Sequence, residues 1–288
     1  MIRILFANAF GPSNRGDAAL IESLVAEMKI ALQDVPHVMH GIVTQTEAQQ
    51  QRIPEVQWMT PPVYASASAA LRRRWETALQ LGTMMLYILS GGSPLVRPSL
   101  SARQKQACAE LETADLVISV PGGFLVDNHP NVLTQLTQLW LAMLRRGPIM
   151  LAPQSIGPIR SRLLRRITAH VLEGAHMVCV RESSSMEFVR EELQLRRPRV
   201  VRLGDMAFEH VRSGPERGAR ILSDELGIRP REPFIAATAV NWQFRHEGRR
   251  KDRFSASADF PSWPENSHAG KSHERNNMRN CELIGSAL

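Results

Sequence analysis

Asp115-Leu116-Val117-Ile118-Ser119-Val120, followed at once by Pro121-Gly122-Gly123, decides the fold of this chain. An almost unbroken apolar, β-branched run of this length reads as a strand buried on both faces. The glycine pair behind it ends the strand in a turn that lets backbone approach whatever lies beyond. A strand buried on both faces needs helices on both sides, and the neighbouring sequence supplies them. Residues 101–113 before it carry helical spacing, and so do residues 131–145 after it, where Val132, Leu133, Leu136, Leu139, Trp140 and Met143 share one side.

The same strand–loop–helix unit repeats in both directions. Toward the N-terminus, residues 2–7 read as a strand, 8–16 as a loop and 17–32 as a helix of about four turns, from Leu20, Ile21, Leu24, Val25, Met28, Ala31 and Leu32. Residues 38–43 read as a second strand and 72–89 as a helix that ends in the Gly91-Gly92-Ser93-Pro94 break. Toward the C-terminus, the strand 148–152 runs into Pro153-Gln154-Ser155-Ile156-Gly157-Pro158. A helix over 161–173, a strand over 177–180, a helix over 185–193 and a strand over 200–203 ending at Gly204-Asp205 follow. This alternation predicts an α/β fold, a Rossmann-like doubly wound parallel sheet, with its distinctive loops gathered at the carboxyl edge. The first domain is expected over residues 1–212, and a linker helix with the opening strand of an incomplete second domain over 213–244. Residues 245–288 lose all periodicity and are rich in Ser, Asn, His, Arg and Lys. They read as disordered, either an out-of-frame end of a truncated gene or a natural tail.

At 288 residues, 43% of them hydrophobic, the chain suffices for one large domain or one domain and part of another. The net charge of +7 comes mostly from short arginine clusters at predicted helix ends, such as Arg72-Arg73-Arg74, Arg145-Arg146 and Arg165-Arg166. Such clusters suit solvated helix ends, with an anionic partner as the alternative. Zinc-finger, basic-zipper and RNA-binding aromatic patterns are absent, so nucleic acid is not the expected partner. Cys108, Cys179 and Cys281 stand far apart, which argues against a disulfide framework and fits a reducing cytoplasm. The apolar stretch 79–89 is too short to span a membrane. A buried core helix is the expectation there. A helix lying on the inner face of a membrane is the alternative, because Arg72–Arg74 precede the stretch.

Three loops could carry chemistry. Asn14 or Asp17 could cap the first helix, with Gly16 allowing a tight turn and free amides attracting an anion; an ordinary N-cap is the competing reading. Gly122 and Gly123 allow close backbone approach, but neither the dinucleotide fingerprint nor a Walker sequence occurs. Arg181-Glu182-Ser183-Ser184-Ser185 is the most telling. Ser184 with Glu187 fits a capping box, which sets Arg181 at a strand end beside a helix start, suited to phosphate or carboxylate. Pairing of Arg181 with Glu182 or Asp205 is the structural alternative. His129, near the glycine loop, is a candidate proton donor, whereas His170 and His176 read as packing or surface residues. No histidine or cysteine pair has metal-ligand spacing, so no metal is expected.

Taken in order, Asn14-Arg15-Gly16-Asp17, Val120-Pro121-Gly122-Gly123, Gln154-Ser155-Ile156-Gly157-Pro158, Arg181-Glu182 with Ser185, and Leu203-Gly204-Asp205 resemble the polysaccharide pyruvyl transferase family. The resemblance runs from Ile2 to Phe244. It implies two Rossmann-like domains facing a cleft, in the GT-B manner. It also implies transfer of a pyruvyl group from phosphoenolpyruvate to two hydroxyls of a sugar, giving a ketal on a glycan or a lipid-linked precursor, with no cofactor. Arg181 matches the arginine of the family's Arg-(Asp/Glu)-x-x-Ser segment and would form part of an anion clamp. Asn14, Gly16, Asp17, Gly122, Gly123, Gln154, Ser155 and Ser185 would line the substrate site, while the catalytic acid and base stay unassigned. The family's second domain carries further basic residues and a histidine, and His246, His268 and His273 match none of its motifs. A GT-B-like glycosyltransferase using a nucleotide-sugar and a non-catalytic remnant or binding module are the alternatives.

Overall fold

Eight strands form one sheet in the order β3-β2-β1-β4-β6-β7-β8, with β5 alongside β6, and the neighbouring strands run parallel. In this computed structural model the described residues are 1–65, 69–127, 132–145, 147–210, 214–225 and 227–229. The chain divides into two units, Met1–Val211 and Arg212–Leu288. In the first, the elements are β1 (Ile2–Ala9), α1 (Arg15–Ala31), β2 (His37–Val43), α2 (Thr46–Arg52), β3 (Val56–Met59), α3 (Ala70–Leu89), α4 (Ala102–Thr113), β4 (Leu116–Ser119), β5 (Gly122–Leu125), α5 (Val132–Met143), β6 (Ile149–Ile156), α6 (Arg162–Glu173), β7 (Met177–Val180), α7 (Ser183–Glu187) and β8 (Arg199–Arg202).

Alternation along the strands feeds two cores. Leu5 and Ala7 of β1, Val117 of β4, Leu151 of β6 and Val178 of β7 pack with apolar residues of α3, α4, α5 and α6 on one face. Ile4 and Phe6 of β1, Ile118 of β4 and Ala152 of β6 pack with Ile21, Leu24 and Val25 of α1 on the other. Each such valine, leucine, isoleucine or phenylalanine side chain, withdrawn from water, contributes about 1.5–3 kcal/mol. The fold is therefore an α/β, Rossmann-like doubly wound sheet. Its strand order reverses between β1 and β4, and a crevice opens at the carboxyl ends of strands at such a point.

Several local expectations need correction. β6 extends through Pro153-Gln154-Ser155-Ile156, read from the sequence as a loop, because β5 supplies a parallel partner for its second half: Gly122 pairs with Gln154 and Leu125 with Ile156. β5 itself lies where only a glycine turn was expected. α2 and β3 were likewise unanticipated, short elements with too few periods to register as a pattern. α7 begins at Ser183, behind Glu182, whose side chain makes no capping bond, so the Ser184–Glu187 capping box does not form. A capping box does form at α4, between Ser101 and Gln104. Nor is α3 the buried core helix expected: only Met84, Tyr87 and Ile88 of it are buried.

In the second unit, the helix α8 (Pro215–Arg220) leads into a wider turn over Ile221–Glu225, within the segment 213–244 read from the sequence as a linker helix and an opening strand. Residues 230–244, where the opening strand is expected, the tail 245–288 and His129 lie outside the described residues.

Candidate functional site

The carboxyl ends of β6, β7 and β8 and the glycines of β5 meet at Arg181, the first residue beyond β7. Its Nε donates to Ser155 Oγ at 2.8 Å and lies 3.3 Å from Glu182 Oε2. Its Nη1 donates to Asp205 Oδ2 at 2.8 Å. Nη2 lies against the glycine turn, 3.5 Å from where a Cβ on Gly123 would stand. Asp205 uses its second oxygen to accept from Ala207 N–H at 2.9 Å, which fixes it at the exit of β8. The structural alternative read from the sequence is thus what the geometry contains, with both carboxylates engaged at once. A guanidinium held on two edges presents its third in a fixed orientation.

Asp17, in the first turn of α1, completes the charge pattern. Arg181 pulls its pKa down, as does a hydrogen bond with Asn14, but burial outweighs both and leaves the carboxyl above the ordinary aspartate value of 3.8. The free amides expected at this helix start are taken up. Asn14 Oδ1 accepts from Gly16 N–H at 3.0 Å and from Asp17 N–H at 3.5 Å, so the ordinary N-cap is the structure observed.

The remaining candidates divide. Gly123 and Ser155 touch Arg181 or face it. Gly122 is a spacer, because a Cβ there would fall 2.0 Å from the Phe124 ring, which stacks on Phe10 with centroids 4.1 Å apart. Ser185 is buried and structural: its Oγ accepts from Ile156 N–H at 2.9 Å and donates to Glu182 Oε1 at 3.0 Å, tying the end of β6 to the partner of Arg181. Gln154 is buried in β6, and its Nε2 has no partner among the described residues. His176 and His170 serve packing, the first accepting from Ile149 N–H at 3.2 Å and the second edge-on to Trp140. Burial pushes the thiols of Cys108 and Cys179 up to about 12 and about 11, which makes them inert as nucleophiles.

Sequence reasoning missed Asn8. It sits at the end of β1 with φ 64°, where β1 slips register against β2, in a left-handed conformation that asparagine tolerates better than most residues. Its N–H donates to Gln138 Oε1 at 2.9 Å and its Nδ2 to Ser119 Oγ at 3.1 Å, while its buried Oδ1 has no partner among the described residues. Strain and an open polar valence together mark functional edges. The asparagine ending an apolar strand was the available signal.

Residues 14–258 match the polysaccharide pyruvyl transferase family, a stretch that begins after Asn8, takes in Asp17, Gly123, Ser155, Arg181 and Asp205, and continues past Phe244. The chain belongs to that family. Among curated proteins it is similar to the amylovoran biosynthesis protein AmsJ of Erwinia amylovora, at 24% identity over 210 residues. The match covers 72% of this chain and 49% of that protein, so the chain spans about half the length of this relative. Family membership makes the carboxyl edge around Arg181 the part of the fold to test first for transferase chemistry.

Proposed function

We propose that this protein acts in the pyruvylation of a cell-surface polysaccharide, transferring a pyruvyl group from phosphoenolpyruvate to two hydroxyls of a sugar. The observation that supports it best is the convergence of the family's separate sequence motifs on Arg181. In the reaction the enol methylene takes a proton and becomes a methyl group. One sugar hydroxyl adds to the cationic carbon and loses its proton, the bond to phosphate breaks, and the second hydroxyl closes the ketal with loss of another proton.

Such a site needs a proton source and a grip on phosphate and carboxylate. In this reading the Asp17 carboxyl is the proton carrier, since burial favours its protonated form. The Nη2 edge of Arg181 beside Gly123 takes one anionic group of the donor. Asn8 Oδ1 and Gln154 Nε2 offer an acceptor and a donor for polar groups of the substrates. The family resemblance assigns further basic residues and a histidine to a second, GT-B-like domain, which would supply the rest of the clamp. The acceptor would be a glycan or its lipid-linked precursor.

Calorimetric titration of the full chain with phosphoenolpyruvate and, separately, with UDP-sugars tests this. Phosphoenolpyruvate should bind, Arg181→Gln should weaken it about tenfold or more, and phosphate release should require a sugar acceptor. Binding of UDP-sugars alone would favour a glycosyltransferase. Binding of neither would favour a non-catalytic role.

A further inference from the structure

The helix α3 exposes a continuous apolar stripe that the fold leaves uncovered in the first unit. Leu71, Trp75, Leu79, Leu86 and Leu89 are 69, 64, 67, 56 and 73% exposed. At 3.6 residues per turn they fall within an arc of about 80°, opposite the buried Met84, Tyr87 and Ile88, and the 20-residue helix carries them along about 30 Å. Leu95, 89% exposed, follows just past the Gly91-Gly92 turn. Scattered exposed leucines need no explanation, but an aligned row does.

Charge is distributed around this row in a particular way. Arg72 and Arg74 flank the stripe on either side, and Arg73 lies on the far side of the helix. Glu76, paired with Arg72 at 3.3 Å, is the acid on α3, and residues 77–89 carry no charge at all. A second copy of the same helix would fit poorly. Parallel pairing sets arginine clusters against each other, and antiparallel pairing sets them against an uncharged end. An anionic lipid surface matches on both counts: guanidinium groups reach phosphate headgroups while tryptophan and leucine enter the apolar boundary.

Gln80 is one of the places where α3 meets the body: its Oε1 accepts from Tyr64 N–H at 2.7 Å, beyond the end of β3, and its carbonyl accepts from Gln104 Nε2 at 3.2 Å, in the first turn of α4. Both points lie at the carboxyl edge, since β3 has just ended and α4 runs back to begin β4. The ten residues before Gln80 are exposed or half-exposed. We propose that α3 docks the protein on an anionic membrane surface, Leu71, Trp75, Leu79, Leu86 and Leu89 inserting and Arg72 and Arg74 binding lipid phosphates.

Co-sedimentation of the full chain with vesicles tests this without any substrate, so its failure leaves the transfer reaction untouched. Binding is expected to vesicles rich in phosphatidylglycerol, to be weak to phosphatidylcholine alone, and to fall as salt rises. Arg72→Gln with Arg74→Gln should weaken it about thirtyfold, and Trp75→Ser with Leu79→Ser should abolish it. Because these side chains are exposed, both variants should keep the parent's circular dichroism and Tm. No sedimentation with either lipid would overturn the proposal. So would a concentration-dependent dimer lost in Trp75→Ser/Leu79→Ser, which would assign the stripe to a second copy, or equal binding to both lipids with no effect of the arginine changes.

Discussion

Ser184→Ala and Ser185→Ala, adjacent and chemically identical changes, separate two accounts of how Arg181 is held. If Ser184 capped the helix, its loss would cost about 1 kcal/mol. In the structure Ser184 is exposed and the helix lacks a side-chain cap, so the expected cost is within about 0.5 kcal/mol. Ser185 is 2% exposed and its Oγ makes two bonds. Alanine there leaves Ile156 N–H buried and unpaired, at about 1–3 kcal/mol, and takes a donor from Glu182. The total is about 2 kcal/mol, which in a domain of roughly this size lowers Tm by about 4–8 °C. Thermal unfolding followed by circular dichroism reads the difference directly. Equal losses in the two variants, or a larger one for Ser184→Ala, would refute the assignment of Ser185 as the tie between β6 and Glu182.

Asp17→Asn should raise Tm at neutral pH while removing transfer activity. Burial raises the folded-state pKa of Asp17, so the folded state binds the proton more tightly. The ionised carboxyl destabilises the fold above that pKa, and the penalty vanishes below the unfolded value near 3.8. The stability gain of the variant should therefore disappear as the pH falls through that window, and a gain independent of pH would count against the burial of Asp17. Gly123→Ala should fold like the parent, its Cβ in ordinary contact 3.5 Å from Arg181 Nη2, yet weaken phosphoenolpyruvate binding in calorimetry, whereas Gly122→Ala should lower Tm because its Cβ meets the Phe124 ring. Unchanged affinity in Gly123→Ala would remove the glycine turn from the anion site.

Period and punctuation in the sequence determined the α/β alternation, the central strand at Leu116–Ser119 and the loops that end at the carboxyl edge, because apolar runs and glycine breaks are local properties of the chain. They also placed Arg181 at a strand end. The partners of Arg181 were decided in three dimensions. Ser155 and Asp205 lie 26 and 24 residues away and reach it only because β6, β7 and β8 pair side by side in parallel. The same holds for β5, a strand only because β6 lies beside it, and for Ser185, read from the sequence as lining the substrate site, whose hydroxyl instead takes up the Ile156 amide. The apolar stretch 79–89 read as core because composition records how much is hydrophobic and not which arc finds a neighbour. Packing against α5 buried one side of α3 and left the other to solvent.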